Sequence, residues 1–127
     1  MEEWCFGDNQ KDADYLFDLA IAGVKTATSY LFFPNKPPVY SCSILTDWQG
    51  KRKVKLNTTK ITILPFCKVS KDHAFKEGEG DKSLEYWQKV HSSFFKKECK
   101  KHDQKFSDDT LIVCEEFEIV QKFCQKH

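Results

Sequence analysis

Between Val39 and Pro65 the chain carries two runs of alternating apolar residues joined by the turn Asp47-Trp48-Gln49-Gly50, and this pairing constrains the fold more than any other feature. Side chains alternate across a strand, so Val39 to Thr46 and the run holding Val54, Leu56 and Thr58 read as a hairpin. The apolar face then continues on Ile61 and Ile63, which have the opposite parity. Either an extra residue is absorbed near Thr58-Thr59-Lys60, as a bulge, which often adjoins a functional site, or as the corner of a barrel, or the strand breaks there.

Helical spacing brackets this sheet. Ala13, Leu16, Phe17, Leu19 and Ala20 recur with helical period from Lys11 to Ala22, acidic residues open the segment, and Gly23 closes it. The stretch Lys25 to Phe33, rich in threonine and aromatics, favours a strand that ends at Pro34. After Pro65-Phe66 comes a short segment with His73, Ala74 and Phe75, and then Lys76-Glu77-Gly78-Glu79-Gly80-Asp81, expected to be an irregular loop. Ser83 or Asp81 caps a long helix whose Leu84, Trp87, Val90, His91, Phe94 and Phe95 form one stripe. Leu111, Val113, Phe117 and Ile119 alternate with polar residues in a half-buried closing strand. With 127 residues and no linker or repeat, the expectation is one α+β domain over residues 1–127.

Charge and cysteine content exclude several functions. A net charge of +1 rules out a bulk electrostatic grip on duplex nucleic acid, although Lys51, Arg52, Lys53, Lys55 and Lys60 leave a local basic strip. The lysines from Lys96 to Lys105 read as the solvated side of a helix. No apolar run is long enough to span a bilayer and no signal peptide is evident, so a soluble, cytoplasmic protein is expected. The six cysteines are then reduced thiols. Cys99/His102 and Cys124/His127 offer soft ligands at CxxH spacing, but free cysteines and surface histidines are the preferred account, and no metal site is expected.

Polar chemistry concentrates in two places. Lys25 follows a helix end, with Lys25 and Ala27 on one strand face and Thr26 and Thr28 on the other, so an irregular backbone is required to bring Lys25 and Thr28 together. A desolvated lysine beside a hydroxyl can act as its base, whereas lysines at helix ends ordinarily satisfy carbonyls. Glu77, Glu79 and Asp81, separated by glycines, could converge as general acid or base or hold magnesium, or serve only as a turn and helix cap. His91 on the apolar stripe fits a hydrogen-bonded core histidine.

Phe6-Gly7-Asp8, Gly23-Val24-Lys25-Thr26-Ala27-Thr28, Pro65-Phe66, Glu77-Gly78-Glu79-Gly80-Asp81-Lys82-Ser83-Leu84 with Trp87 and His91, and Cys114-Glu115-Glu116-Phe117 together resemble a bacterial branch of the ASCH family in the PUA-like superfamily. The resemblance implies a small mixed β-barrel with flanking helices and a cleft for RNA. It also implies hydrolysis, either as a ribonuclease or as an amidohydrolase on a modified nucleoside such as acetylcytidine, the alternative being a non-catalytic RNA-binding module. By the same resemblance Lys25, Thr28 and Glu77 are the catalytic candidates: Thr28 attacks an amide carbonyl, Lys25 takes its proton and Glu77 assists the leaving amine, a part Glu79 could also play. Candidate ligand contacts are Thr26, Thr58, Glu79, Asp81, Arg52 and Lys53. The expected partner is single-stranded RNA or a modified nucleoside, with no cofactor beyond a possible magnesium, and the protein is a monomer or weak homodimer. The family motif carries an arginine where this chain has Tyr30, and Arg52 is its only arginine. The bidentate contact implied for that arginine is therefore missing, and substrate choice is expected to differ.

Overall fold

The computed structural model describes residues 1–123. Its strands are β1 (Glu3–Trp4), β2 (Ala27–Leu31), β3 (Cys42–Thr46), β4 (Arg52–Pro65) and β5 (Leu111–Lys122), and its helices are α1 (Gln10–Ile21), α2 (Lys71–Glu77) and α3 (Leu84–Lys101). They form a five-stranded sheet in the order β1-β3-β4-β5-β2. β1 runs parallel to β3, and every other neighbouring pair is antiparallel. The α+β class and the hairpin are as expected, but the sheet is not a closed barrel. β1 and β2 remain as separate edges, because β1 is only two residues long and, among the described residues, β2 pairs only with β5.

The parity change in β4 has the cause anticipated from sequence. Thr58 pairs with Phe117 and Lys60 with Glu116, which leaves Thr59 as the extra residue of a bulge. Val54 and Leu56 pack with Phe6, Ala20, Leu45 and Phe117 in a core closed by Leu16 and Phe17 of α1. On the other face Leu31, Ile112 and Cys114 pack with Phe66, Trp87, Phe95 and Cys99 under α2 and α3. The strand β5 is thus covered on both faces at Ile112, Val113 and Cys114, while Leu111, expected inside, is 42% exposed. In α3 the stripe holds for Trp87, His91 and Phe95, but Val90 lies at its exposed margin.

Two elements escaped the sequence. β1 is too short to show alternation, and α2 hides because its buried face is His73, Ala74 and Glu77 rather than an apolar stripe. Ser70 caps α2 by accepting from the His73 N–H. Gly78 ends it in the left-handed region at φ 73°, where an added Cβ would lie 2.5 Å from the Val24 carbonyl oxygen. Gly78→Ala combines a disfavoured backbone with that collision, so a loss of about 2 kcal/mol in a urea melt is expected; a change below about 0.5 kcal/mol would contradict the close approach.

Candidate functional site

The backbone at the end of α1 is irregular at Lys25, but it does not bring Lys25 and Thr28 together. The N–H groups of Val24 and Lys25 both donate to the Leu19 carbonyl, and Thr26 N–H donates to the Lys76 carbonyl at the end of α2, so regular pairing starts only at Ala27. The Lys25 side chain is thereby turned inward and is 2% exposed. Its ammonium donates to Glu77 Oε1 at 2.9 Å, lies 3.5 Å from Glu79 Oε2 and sits 5.2 Å from the centre of the Phe6 ring.

Glu77 is the hub. Its Oε2 accepts from Ser29 Oγ at 2.8 Å, His73 Nε2 at 2.8 Å and Trp87 Nε1 at 2.6 Å, with His91 Nε2 at 3.6 Å. His91 is oriented by its other nitrogen, Nδ1, which donates to the Trp87 carbonyl at 2.9 Å, and by stacking on the Trp87 ring. Burial alone would raise the Glu77 carboxyl, but Lys25 and the histidines reverse it and hold the group well below the usual carboxylate range. Glu79 goes the other way: burial raises it, Lys25 opposes that rise, and the neighbouring Glu77 charge adds to it, leaving the carboxyl raised. Burial lowers His91, but its hydrogen bond to Glu77 and the nearby carboxylates outweigh that and leave it raised. Neighbouring carboxyls are thus shifted in opposite directions, Glu77 down and Glu79 up.

Of the acidic loop, Glu77 and Glu79 converge and Asp81 does not. Asp81 instead accepts from Ser83 N–H at 2.9 Å, as a helix-capping turn. Among the described residues Glu77, Glu79 and His91 have ligand atoms close enough to share a metal ion, but the Lys25 ammonium already lies against both carboxylates. A divalent ion would have to displace it. The CxxH zinc alternative finds no support at Cys99, a buried free thiol; Cys124 and His127 lie outside the described residues.

A cleft of about 710 Å³ opens between β1, β2 and α3, and Lys25, Glu77, Glu79 and His91 do not line it. Its walls include Trp4, Phe6, Phe33 and Phe94, and its polar groups include Thr28, Ser29, Thr58 and Glu115. Ser29 and Phe6 touch both cleft and network, which makes them the connection between the two. Sequence reading missed Ser29, although strand alternation places it on the Lys25 face. Thr28 lies on the opposite face of β2, beside its pairing partner Glu115, and among the described residues its hydroxyl has no hydrogen bond to Lys25 or Glu77.

The remaining candidates lie elsewhere. Thr26 is exposed, its hydroxyl donating to the Lys76 carbonyl at 3.4 Å. Arg52 is paired with Glu3 at 2.7 Å and Lys53 lies 3.9 Å from Asp47, and neither lines the cleft. Among the described residues no helix is long and apolar enough to cross a membrane.

Residues 2–121 match the family model of the ASCH domain. Among solved structures the chain is similar to an ASCH domain from Lactobacillus crispatus JV V101, at 32% identity and TM-score 0.87, covering 94% of this chain and 79% of that one. It is also similar to a protein from Enterococcus faecalis V583, at 33% identity and TM-score 0.86, covering 96% of this chain and 77% of that one. A hypothetical protein at 22% identity and TM-score 0.60, covering 93% of this chain and 99% of that one, shares the fold. No curated relative matches the chain. Sheet order, bulged β4 and helix placement thus coincide with a family match over nearly the full length, and the chain belongs to the ASCH domain family.

Proposed function

We propose that this ASCH domain binds a nucleobase in the cleft between β1, β2 and α3, either in a free modified nucleoside or in single-stranded RNA. The observation that carries the reading is a cleft of about 710 Å³ with aromatic walls and hydroxyl groups, a volume and chemistry suited to a stacked base held by a few hydrogen bonds. The basic strip contributes little, because Arg52, Lys53 and Lys60 each face a carboxylate outside the cleft. Lys36, which does line it, lies 3.9 Å from Glu2. A walled cleft poor in free cations favours one base over a length of phosphate backbone.

A second reading, hydrolysis of the bound ligand, is favoured by Thr28, whose hydroxyl lines the cleft and has no hydrogen-bond acceptor among the described residues. In it Thr28 Oγ1 forms a bond to the acyl carbon of an amide such as that of acetylcytidine. The C–N bond breaks, the amine leaves with a proton, and water then cleaves the acyl ester on Thr28. Lys25 lies on the other face of β2, hydrogen-bonded to Glu77 at 2.9 Å, so the Thr28 proton passes to the leaving amine through the ligand or a water rather than directly to Lys25. A neutral amide suits the cation-poor wall better than the phosphodiester a ribonuclease would cut.

Calorimetry and product analysis with acetylcytidine and with short single-stranded RNA, on wild type and Thr28→Val, test both readings. The expected result is binding unchanged within about threefold in the variant and turnover lost by about 100-fold or more. Turnover that survives in Thr28→Val would overturn the hydrolytic reading, and absence of binding to either ligand would overturn the cleft assignment.

A further inference from the structure

The cleft wall beside Thr28 carries a carboxylate for which the scheme above has no use. Glu115 is the pairing partner of Thr28 across β5 and β2, so the two side chains project from the same face of the sheet, with Cβ atoms about 5 Å apart by antiparallel geometry. The residue is half-buried, and both it and Thr28 line the cleft. Tyr30, two residues along β2 on the same face, donates its phenol O–H to Glu115 Oε1. Among the described residues Oε2 of Glu115 has no protein donor, and neither has the Thr28 hydroxyl an acceptor.

We infer that Glu115 reads the base edge of the ligand: its free Oε2 accepts an N–H from an exocyclic amine, as on cytosine, and Tyr30 positions it by holding Oε1. The inference rests on the cleft being the nucleobase site. A half-desolvated carboxylate oxygen gains a charge-assisted hydrogen bond from a donor-bearing edge and faces a lone pair on an acceptor-bearing one. The cytosine edge presents an N4 amine where uracil presents the O4 carbonyl, so these bases are the discriminating probes.

Acidity provides an independent readout. Burial raises the Glu115 carboxyl, the Tyr30 hydrogen bond lowers it, and Glu2, ahead of β1, raises it again. The facing position on β4 is the uncharged Ile61. Protonation removes the acceptor, so binding of a donor-edge ligand is lost as pH falls through this carboxyl. Tyr30→Phe removes the lowering influence and moves that midpoint to higher pH.

The experiment is calorimetric titration of the full chain with cytidine, uridine and oligocytidylate, using wild type, Glu115→Gln and Tyr30→Phe. Wild type is expected to prefer cytidine to uridine by about tenfold or more, Glu115→Gln to abolish the preference, and Tyr30→Phe to keep it while raising the acid midpoint. The tighter of cytidine and oligocytidylate identifies the source of the base. Equal affinities of wild type and Glu115→Gln for cytidine would overturn the assignment of Glu115 alone. Failure of wild type to bind any of these ligands would overturn the nucleobase cleft, and this assignment with it. Both positions lie at the cleft surface, so thermal melts matching wild type confirm that the variants report on binding.

Discussion

Lys25→Met is expected to lower the free energy of unfolding by about 3–5 kcal/mol at pH 7, because removal of one partner of a buried ion pair leaves the other charge uncompensated. Lys25 and Glu77 are each 2% exposed, so water cannot replace the lost ammonium without opening the packing of α2 against β2. The remaining donors, Ser29, His73 and Trp87, set the loss toward the lower end of that range. The deficit depends on pH in a definite direction. In wild type the Glu77 carboxyl is held well below its ordinary value of 4.5: burial raises it, and the Lys25 charge with the histidine hydrogen bonds more than reverses the rise. A carboxyl depressed in the folded state contributes stability above about pH 4.5 that is lost as pH falls through its folded value. Without Lys25 the burial remains and the main opposing influence is gone, so the carboxyl rises and can protonate. The gap between variant and wild type is then widest near neutrality and narrows as pH falls through the variant's raised carboxyl and on toward the depressed wild-type one. Urea melts at pH 7 and pH 4 measure this directly. A deficit under 1 kcal/mol, or one that does not change with pH, would show that the pair is not the buried electrostatic hub described here.

Trp87→Ala is expected to cost about 3–5 kcal/mol, the range for deleting a large aromatic from a packed core. The indole stacks on His91 with ring centres 4.3 Å apart and on Phe66 at 5.4 Å, so its loss opens a cavity against β5 and frees the orientation of His91. Trp87→Phe separates packing from hydrogen bonding. It keeps most of the apolar contact but removes the 2.6 Å donor to Glu77, for a loss of about 1.5–3 kcal/mol, the value of a hydrogen bond to a charged group. Because Trp87 and Lys25 serve the same carboxylate, the double variant Lys25→Met/Trp87→Phe is expected to depart from the sum of the single losses. Additivity within about 0.3 kcal/mol would contradict a shared network.

The sequence carried the site's ingredients more clearly than their arrangement. The apolar parity switch foretold the bulge at Thr58 to Lys60, since a strand with one covered face cannot change parity without an extra residue. Helix α3 and its Ser83 cap were legible because a stripe ending in Trp87, His91 and Phe95 has only one periodic reading. Helix α2 was not, because the residues it buries are a histidine, an alanine and the hub carboxylate, and a polar buried face leaves no hydrophobic period. That miss concealed why Glu77 sits where it does: it is the last residue of a helix aimed at Lys25, with Gly78 packed on Val24 as the stop. Strand alternation correctly separated Lys25 from Thr28, and the same alternation already pointed to Ser29, which the structure makes the link between cleft and hub. The closed barrel was not realised because closure depends on pairing between β1 and β2, distant edges on which no local pattern bears.

Amide shift mapping of the labelled protein during titration with acetylcytidine tests most directly the proposed occupancy of the cleft between β1, β2 and α3 by a nucleobase. The expected result is a saturable set of shifts centred on Phe6, Thr28, Ser29, Tyr30 and Glu115, with the face bearing Arg52 and Lys53 undisturbed. Shifts confined to the Arg52 and Lys53 face, or no saturable shifts at all, would contradict it.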